Sequence, residues 1–304
     1  MYNTLKTIIL GALLIFPLVS SAQSEMTGGD TSAKTVPFIT LNNGVNMPII
    51  GFGTYSLNGL IAENSVAEAI SVGYRLIDTA MTYGNEESVG KGIKKSGIDR
   101  EELFITTKLW VDDMGYEKVK KGFEASLKKL GVDYIDLYLI HRPRPYEDIK
   151  GSWQAMEELY EAGKIKAIGV SNFTTEQLEE LLSYAKIKPV VNQIECHPFF
   201  HQAEEQASLQ EKGVQMEAWS PLAGGRNDIF KNPVLSAIGK KHNKSSAQIA
   251  LRWIIQRGII TIPRTSERAH MLENLNIFDF KLDDDDLKQI AGLDLNTTQF
   301  PEWH

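Results

Sequence analysis

The chain has 304 residues and a single cysteine, Cys196. One thiol excludes an intrachain disulfide and any metal site built from several cysteines. Cys196 falls in an apolar stretch and is expected to be a buried, inert thiol. Positive charge is not in excess either: 32 Lys and Arg stand against 39 Asp and Glu, for a net charge of −7. That balance excludes a basic surface suited to nucleic acid. Long apolar runs are also missing. The longest, from Thr7 to Val19, has 13 residues, against the roughly 20 that cross a bilayer, and Pro17 would break a longer helix. What remains is an ordinary globular composition, 42% apolar and 23% charged, with length for one (β/α)8 barrel and little to spare.

The first residues read differently from the rest. Lys6 precedes the apolar run, and Ser20-Ser21-Ala22 follows it, the pattern of a secretory signal peptide over 1–22. Cleavage after Ala22 would remove one lysine and no acid, and no stable membrane insertion would follow. The expected location is therefore outside the cytoplasm, periplasmic or secreted. Translation from Met26 would instead leave the protein cytoplasmic. Residues 23–35 read as a flexible linker and residues 36–304 as one barrel domain.

Phe38–Leu41 and Val45–Pro48 flank Asn42-Asn43-Gly44, a glycine-turn hairpin placed to close the bottom of a barrel. Eight strand-like runs follow, at 49–53, 74–78, 103–108, 134–141, 165–170, 190–195, 214–219 and 258–262. Helical periodicity separates them at 62–72, 86–95, 116–130, 149–162, 175–185, 203–212 and 246–257. Thr174 and Gln177 have capping-box spacing, and Gly97, Gly131, Gly163 and Gly213 stand just past helix ends. Asp283 to Asp286 favour the start of a further helix through its dipole. Eight alternations predict an α/β fold, a (β/α)8 TIM barrel of parallel strands.

Three of those runs end on a polar side chain: Asp78, Lys108 and His141. Tyr83 follows the first by five residues. Parallel neighbouring strands would bring all four to one mouth, where barrel enzymes place their chemistry. Each residue alone has a plainer reading: Asp78 as a turn cap, Lys108 as a surface lysine, His141 as a loop histidine, Tyr83 as a packed aromatic. A barrel hydrolase is a further reading, but its paired acids are missing; Glu195 is a candidate without a clear partner.

The ordered segments Gly51-Phe-Gly-Thr-Tyr55, Ile77-Asp-Thr-Ala-Met-Thr-Tyr-Gly-Asn-Glu86, Thr106-Thr-Lys-Leu-Trp110, Leu139-Ile-His141, Gly169-Val-Ser-Asn-Phe173, Asn192-Gln-Ile-Glu-Cys-His197, Trp219-Ser-Pro-Leu222 and Ile262-Pro-Arg264 resemble the aldo-keto reductases. The resemblance covers about residues 36 to 300 and is strongest to microbial, diketogluconate-reductase-like members. It implies NADPH-dependent reduction of an aldehyde or ketone. Tyr83 would be the general acid, Lys108 the cation that lowers its pKa from about 10, Asp78 the carboxylate holding Lys108, and His141 the group that orients the carbonyl. A nucleotide-binding redox sensor or slow-turnover binding protein on the same barrel is the alternative.

The cofactor positions carry over in the same way. Ser171, Asn172 and Gln193 correspond to a clamp on the nicotinamide carboxamide, and Trp219 to the ring stacked on it. Ser220, Pro221 and Leu222 would run beside the pyrophosphate, with Thr54 and Tyr55 also at the nucleotide. Ile262, Arg264, Thr265 and His270 fall in the 2′-phosphate region, and Glu273 and Asn274 match an adenine-contacting pair. Arg264 stands where the family often has lysine and can grip phosphate bidentately; His270 replaces an arginine and is mostly neutral at pH 7. The expectation is NADP, with NAD possible. Tyr55, Trp110, His141 and Arg142 would form the substrate pocket. Arg142 replaces a common tryptophan and predicts a carbonyl substrate carrying a carboxylate or many hydroxyls. No metal is expected, and family members are often monomers. Export sits uneasily with this cofactor, since a chain exported unfolded carries none with it.

Overall fold

β-branched and aromatic runs bounded by glycine and polar turns give the strands of the computed structural model, which describes residues 36–144 and 147–303. The signal peptide and linker assigned to residues 1–35 lie outside the described residues. Strands β1 (Phe38–Thr40) and β2 (Asn46–Pro48) pair antiparallel as the expected hairpin. Eight parallel strands follow: β3 (Phe52–Gly53), β4 (Leu76–Asp78), β5 (Phe104–Leu109), β6 (Ile135–Ile140), β7 (Ile165–Ser171), β8 (Val191–Glu195), β9 (Gln215–Trp219) and β10 (Ile260–Thr261). They lie side by side in chain order. The sheet closes on itself where Ile50 bridges Thr261 and the Gly51 amide donates to the Thr261 carbonyl at 2.8 Å.

Helices α1 (Gly59–Ser71), α2 (Glu86–Ser96), α3 (Tyr116–Leu130), α4 (Ile149–Glu161), α5 (Thr175–Tyr184) and α6 (Ala203–Glu211) separate the strands as expected. The Thr174–Gln177 capping box forms at the start of α5. Two helices had no signal in the periodicity: α7 (Pro233–His242) and α9 (Arg268–Leu275). The first is made by its ends. Asn232 caps it, Pro233 opens it, and Asn243 in the left-handed region closes it. The second is short and buries only Met271 and Asn274. Helix α8 (Ser246–Gln256) completes the ring, and α10 (Asp284–Ala291) starts on the acidic run, where Asp283 and Asp286 form a capping box. Asp286 also receives Lys241 and His242, so the acids are used within the protein. Among the described residues no helix is long and apolar enough to cross a membrane.

Alternation along each strand decides what faces inward. Leu76, Phe104, Leu137, Leu139, Ala167, Val191 and Ile260 pack into one apolar cluster with Leu41 and Met47 of the hairpin. Tyr138, Ile140, Ile168 and Val170, one position off, pack in the larger cluster that includes the helices. Gly169 is required by this packing: a Cβ there would stand 2.7 Å from the Val191 carbonyl and 2.8 Å from Leu139. The hairpin turn is pinned to strand starts, with Asn43 Nδ2 donating to the Lys166 carbonyl at 3.0 Å and Asn42 Nδ2 to Pro189 and Gly213 at 2.9 and 3.0 Å. It therefore seals the N-terminal end of the barrel and leaves the other end for the chemistry.

Candidate active site

The same alternation carries the interior from apolar to charged in one step of two residues. Leu76 is followed inward by Asp78, Phe104 by Thr106 and Lys108, Val191 by Gln193, and Gln215 by Glu217. Asp78, Lys108 and Glu217 are all buried, Lys108 fully so at 0% exposure. The Lys108 ammonium donates to both Asp78 oxygens at 2.6 and 2.8 Å and to the Thr79 carbonyl at 3.0 Å. Its remaining reach is to the Tyr83 hydroxyl at 3.4 Å. Burial would lower the Lys108 pKa, but the charges of Asp78 and Tyr83 outweigh it and hold the ammonium above its ordinary value.

Asp78, Tyr83, Lys108 and His141 are thus together. Tyr83 and His141 meet edge to face with ring centres 5.8 Å apart, and Trp110 meets His141 at 5.2 Å. One expectation is reversed. Lys108 does pull the Tyr83 pKa down, but desolvation is the larger effect and Asp78 adds to it, so the phenol lies above its ordinary 10. At neutral pH Tyr83 holds its proton. His141 is driven the other way, well below 6.5, by burial and then by the cations of Lys108 and Arg142. It is a neutral imidazole whose Nδ1 is buried without a partner, a ring suited to directing a hydrogen bond rather than to carrying charge.

The residue missed in the sequence is Glu217. The Gln193 amide donates at 2.9 Å to Asp78 Oδ2 and at 2.9 Å to Glu217 Oε2, bridging two carboxylates inside the barrel. Burial, then the charge of Asp78, pushes the Glu217 carboxyl up to about 8. Glu217 is therefore mostly protonated at neutral pH, and the interior holds one anion, one cation and one neutral acid. Because both Gln193 N–H groups face carboxylates, its carbonyl oxygen is the atom left for a ligand.

Asn172 sits in the left-handed region at φ 60°, a conformation asparagine tolerates. Its amide donates to the His141 carbonyl and to Ser171 Oγ, both at 3.0 Å, and its oxygen receives the Trp219 indole N–H at 2.8 Å. Ser171 in turn donates to the Gln193 main-chain carbonyl at 2.8 Å. The three clamp residues and Trp219 are one network.

A cavity of about 460 Å³ opens over these groups, within the usual range for small-molecule sites. Its lining runs from Tyr55, Asp78, Tyr83, His141 and Arg142, past Ser171, Asn172, Gln193 and Trp219–Leu222, to Ile262, Arg264 and Thr265. Arg264 is exposed and has no hydrogen-bond or ion-pair partner among the described residues. The remaining expected contacts lie off this lining. Thr54 is buried with its hydroxyl on the Asp78 carbonyl at 2.9 Å. His270 and Glu273 are on α9 outside the cavity, and Asn274 is buried beside the Tyr74 hydroxyl.

The C-terminal tail adds residues that no periodicity announced. Glu195, weighed as a hydrolase acid, anchors it instead: its carboxylate accepts from Thr298 Oγ1 at 2.5 Å and from the Gln299 amide at 2.9 Å, beside His197 at 2.9 Å. Phe300 then packs edge-on to Trp219 at 5.2 Å, and Trp303 reaches Tyr55 at 5.2 Å. Arg226 pairs with Glu302 and Asn227 with Gln299, joining the loop after β9 to the tail.

The Aldo/keto reductase family model matches residues 49–295. A glyoxal reductase of Bacillus subtilis is 51% identical over 256 residues, covering 84% of this chain and 92% of that protein. The crystal structure of an aldo-keto reductase enzyme from a Medee basin deep-sea metagenome library superposes with a TM-score of 0.83 at 46% identity, over 86% of this chain and 96% of the other. That of a Bombyx mori aldo-keto reductase in complex with NADP gives 0.82 at 37% identity, over 88% and 95%.

Proposed function

This chain belongs to the aldo/keto reductase family, and from that premise we propose that it reduces small-molecule aldehydes or ketones with NADPH, Tyr83 being the general acid. The observation that carries this reading is the buried Lys108 ammonium, bound by Asp78 on one side and 3.4 Å on the other from the hydroxyl of Tyr83, which lines the cavity.

The residues present fit a nicotinamide nucleotide. Gln193 offers a carbonyl oxygen and no free N–H, as suits a carboxamide N–H₂; Trp219 offers a ring face, and Arg264 an unpaired guanidinium for a 2′-phosphate. Ser171 and Asn172 hold Trp219 and Gln193 in place. Bound there, NADPH supplies the hydride that reaches the carbonyl carbon. Tyr83, protonated at neutral pH, has the proton the carbonyl oxygen must receive, and Lys108 stabilises the phenolate that remains. Neutral His141 directs the oxygen toward Tyr83. The Bombyx mori relative was crystallised with NADP, which supports the same choice here.

Tryptophan fluorescence of the protein titrated with NADPH and with NADH tests the cofactor, and turnover of an aldehyde panel tests the chemistry. Quenching that is stronger with NADPH, and turnover lost in Tyr83→Phe, are expected; no quenching by either nucleotide would overturn the reading. We also infer export, from residues 1–22. N-terminal sequencing should find Gln23 first in the exported protein, and an intact Met1 or a Met26 start would refute it.

A further inference from the structure

Arg142 lies immediately past β6, next to His141, and is only 8% exposed. Its guanidinium makes no hydrogen bond or ion pair with any described residue. The one partner is the ring of Trp303, 5.5 Å from Cζ. Burial and the nearby charge of Arg144 both weigh against its protonated form, and Tyr83 is close enough to favour it. A guanidinium has five donors and stays charged, so burying it unpaired is costly unless something arrives to accept. Arg142 lines the same cavity as Tyr83 and His141.

Its neighbours locate it on the side of the reacting carbonyl. Tyr83 touches Tyr55 at 5.1 Å, Tyr55 touches Trp303 at 5.2 Å, Trp303 lies against Arg142, and Arg142 adjoins His141, which returns to Tyr83. Of these five residues, Tyr83, Tyr55, Trp303, Arg142 and His141, four are aromatic and Arg142 is the one cation. Among the described residues no acid pairs with that cation, whereas the buried Lys108 has Asp78.

We propose that Arg142 anchors a carboxylate carried by the substrate, so that the preferred substrates are oxo acids rather than neutral aldehydes or ketones. The proposal rests on the reductase reading above. A carboxylate suits the site because it is planar, matches the guanidinium fork with two parallel hydrogen bonds, and leaves its aldehyde end free to reach Tyr83 between the aromatic walls.

The test compares acids with their own methyl esters in the full NADPH-loaded enzyme: 4-oxobutanoate with methyl 4-oxobutanoate, and 4-carboxybenzaldehyde with its methyl ester. Wild type should favour the acid in at least one pair. In Arg142→Gln the acid-to-ester ratio of kcat/KM should fall roughly tenfold or more, chiefly through KM, since a hydrogen bond to a charged group is worth that much. Arg142→Lys should keep part of the preference. Equal ratios in wild type and variant would overturn the proposal while leaving the reductase reading intact. A matching loss of NADPH affinity in Arg142→Gln would assign the residue to the cofactor and also overturn it. Failure of wild type to reduce any of the four compounds while it turns over other members of the aldehyde panel would overturn this proposal alone; failure on the whole panel, with NADPH bound, would remove the reductase reading with it.

Discussion

The two ends of the barrel interior are built on the same strands by the same alternation, and they are opposites. At the hairpin end, Leu76, Phe104, Leu137, Leu139 and Met47 fill the space with no polar atom to satisfy. Two to four residues further along, Asp78, Lys108, Gln193 and Glu217 put an ion pair, an amide and an acid into the same low-dielectric tube. The lower half lends its burial to stability. The upper half carries charges whose desolvation is offset by their mutual attraction, and the proposed reduction gives those groups a use. The contrast makes each half separately breakable.

The largest effect is expected from Tyr83→Phe, which removes the acid while keeping the ring against Tyr55 and His141; kcat/KM should drop by about 10²- to 10⁴-fold with an unchanged urea midpoint. Next is Lys108→Met, which strands a buried Asp78. About 3–5 kcal/mol of stability should be lost along with activity, read by denaturant unfolding beside the kinetic assay. In the lower half Leu137→Ala should cost about 2–5 kcal/mol and leave the pH profile of turnover unmoved; a displaced profile would show that the halves are coupled. Comparable only at the alkaline end, and smaller below it, is Glu217→Gln. The folded carboxyl holds its proton up to about 8 against an ordinary 4.5. Between those values the native state binds a proton that the unfolded state has released, so wild-type stability falls as pH rises, by at most about 1.4 kcal/mol per unit. The variant should lose that slope, seen as a Tm difference that widens from pH 5 to 8. Smallest is Asn43→Ala at the hairpin, about 1 kcal/mol for two hydrogen bonds near the surface, to the Lys166 carbonyl and from the Val45 amide.

The raised Tyr83 pKa gives the comparison its pH test. Because the phenol keeps its proton past neutrality, carbonyl reduction should stay level through pH 7 and fall only in the alkaline range. Oxidation of an alcohol, which needs the phenolate, should rise with pH. Initial rates in both directions across pH 6 to 10.5 would show it, and a bell centred near pH 7 for reduction would contradict the assignment.

Asp78, Lys108 and His141 were legible because each closes an apolar strand, where a polar side chain stands out, and Tyr83 because of its fixed distance from Asp78. Glu217 was not. In Gln215-Met-Glu-Ala-Trp219 polar and apolar residues alternate, and only closure of the barrel tells which set faces inward. Trp303 was hidden for another reason: the tail has no periodicity, and its position follows from Thr298 and Gln299 meeting Glu195 about a hundred residues earlier. Helices α7 and α9 were missed because caps and tertiary packing, more than an apolar stripe, hold them. Gln193 lines the cavity, but its side-chain donors are used inside the protein, on Asp78 and Glu217.

The hairpin has a consequence for how the molecule is made. Its turn bonds to carbonyls at Lys166, Pro189 and Gly213, the last 171 residues away, and the first barrel strand closes against Thr261. On a ribosome, the hairpin emerges before the barrel strands and has nothing to dock on until most of the barrel has emerged. Such distant pairing is slow to form, and the open sheet exposes two unpaired edges meanwhile. The interval between emergence and closure is therefore when this protein is most in need of a chaperone, and shortening the β1–β2 turn should lengthen it.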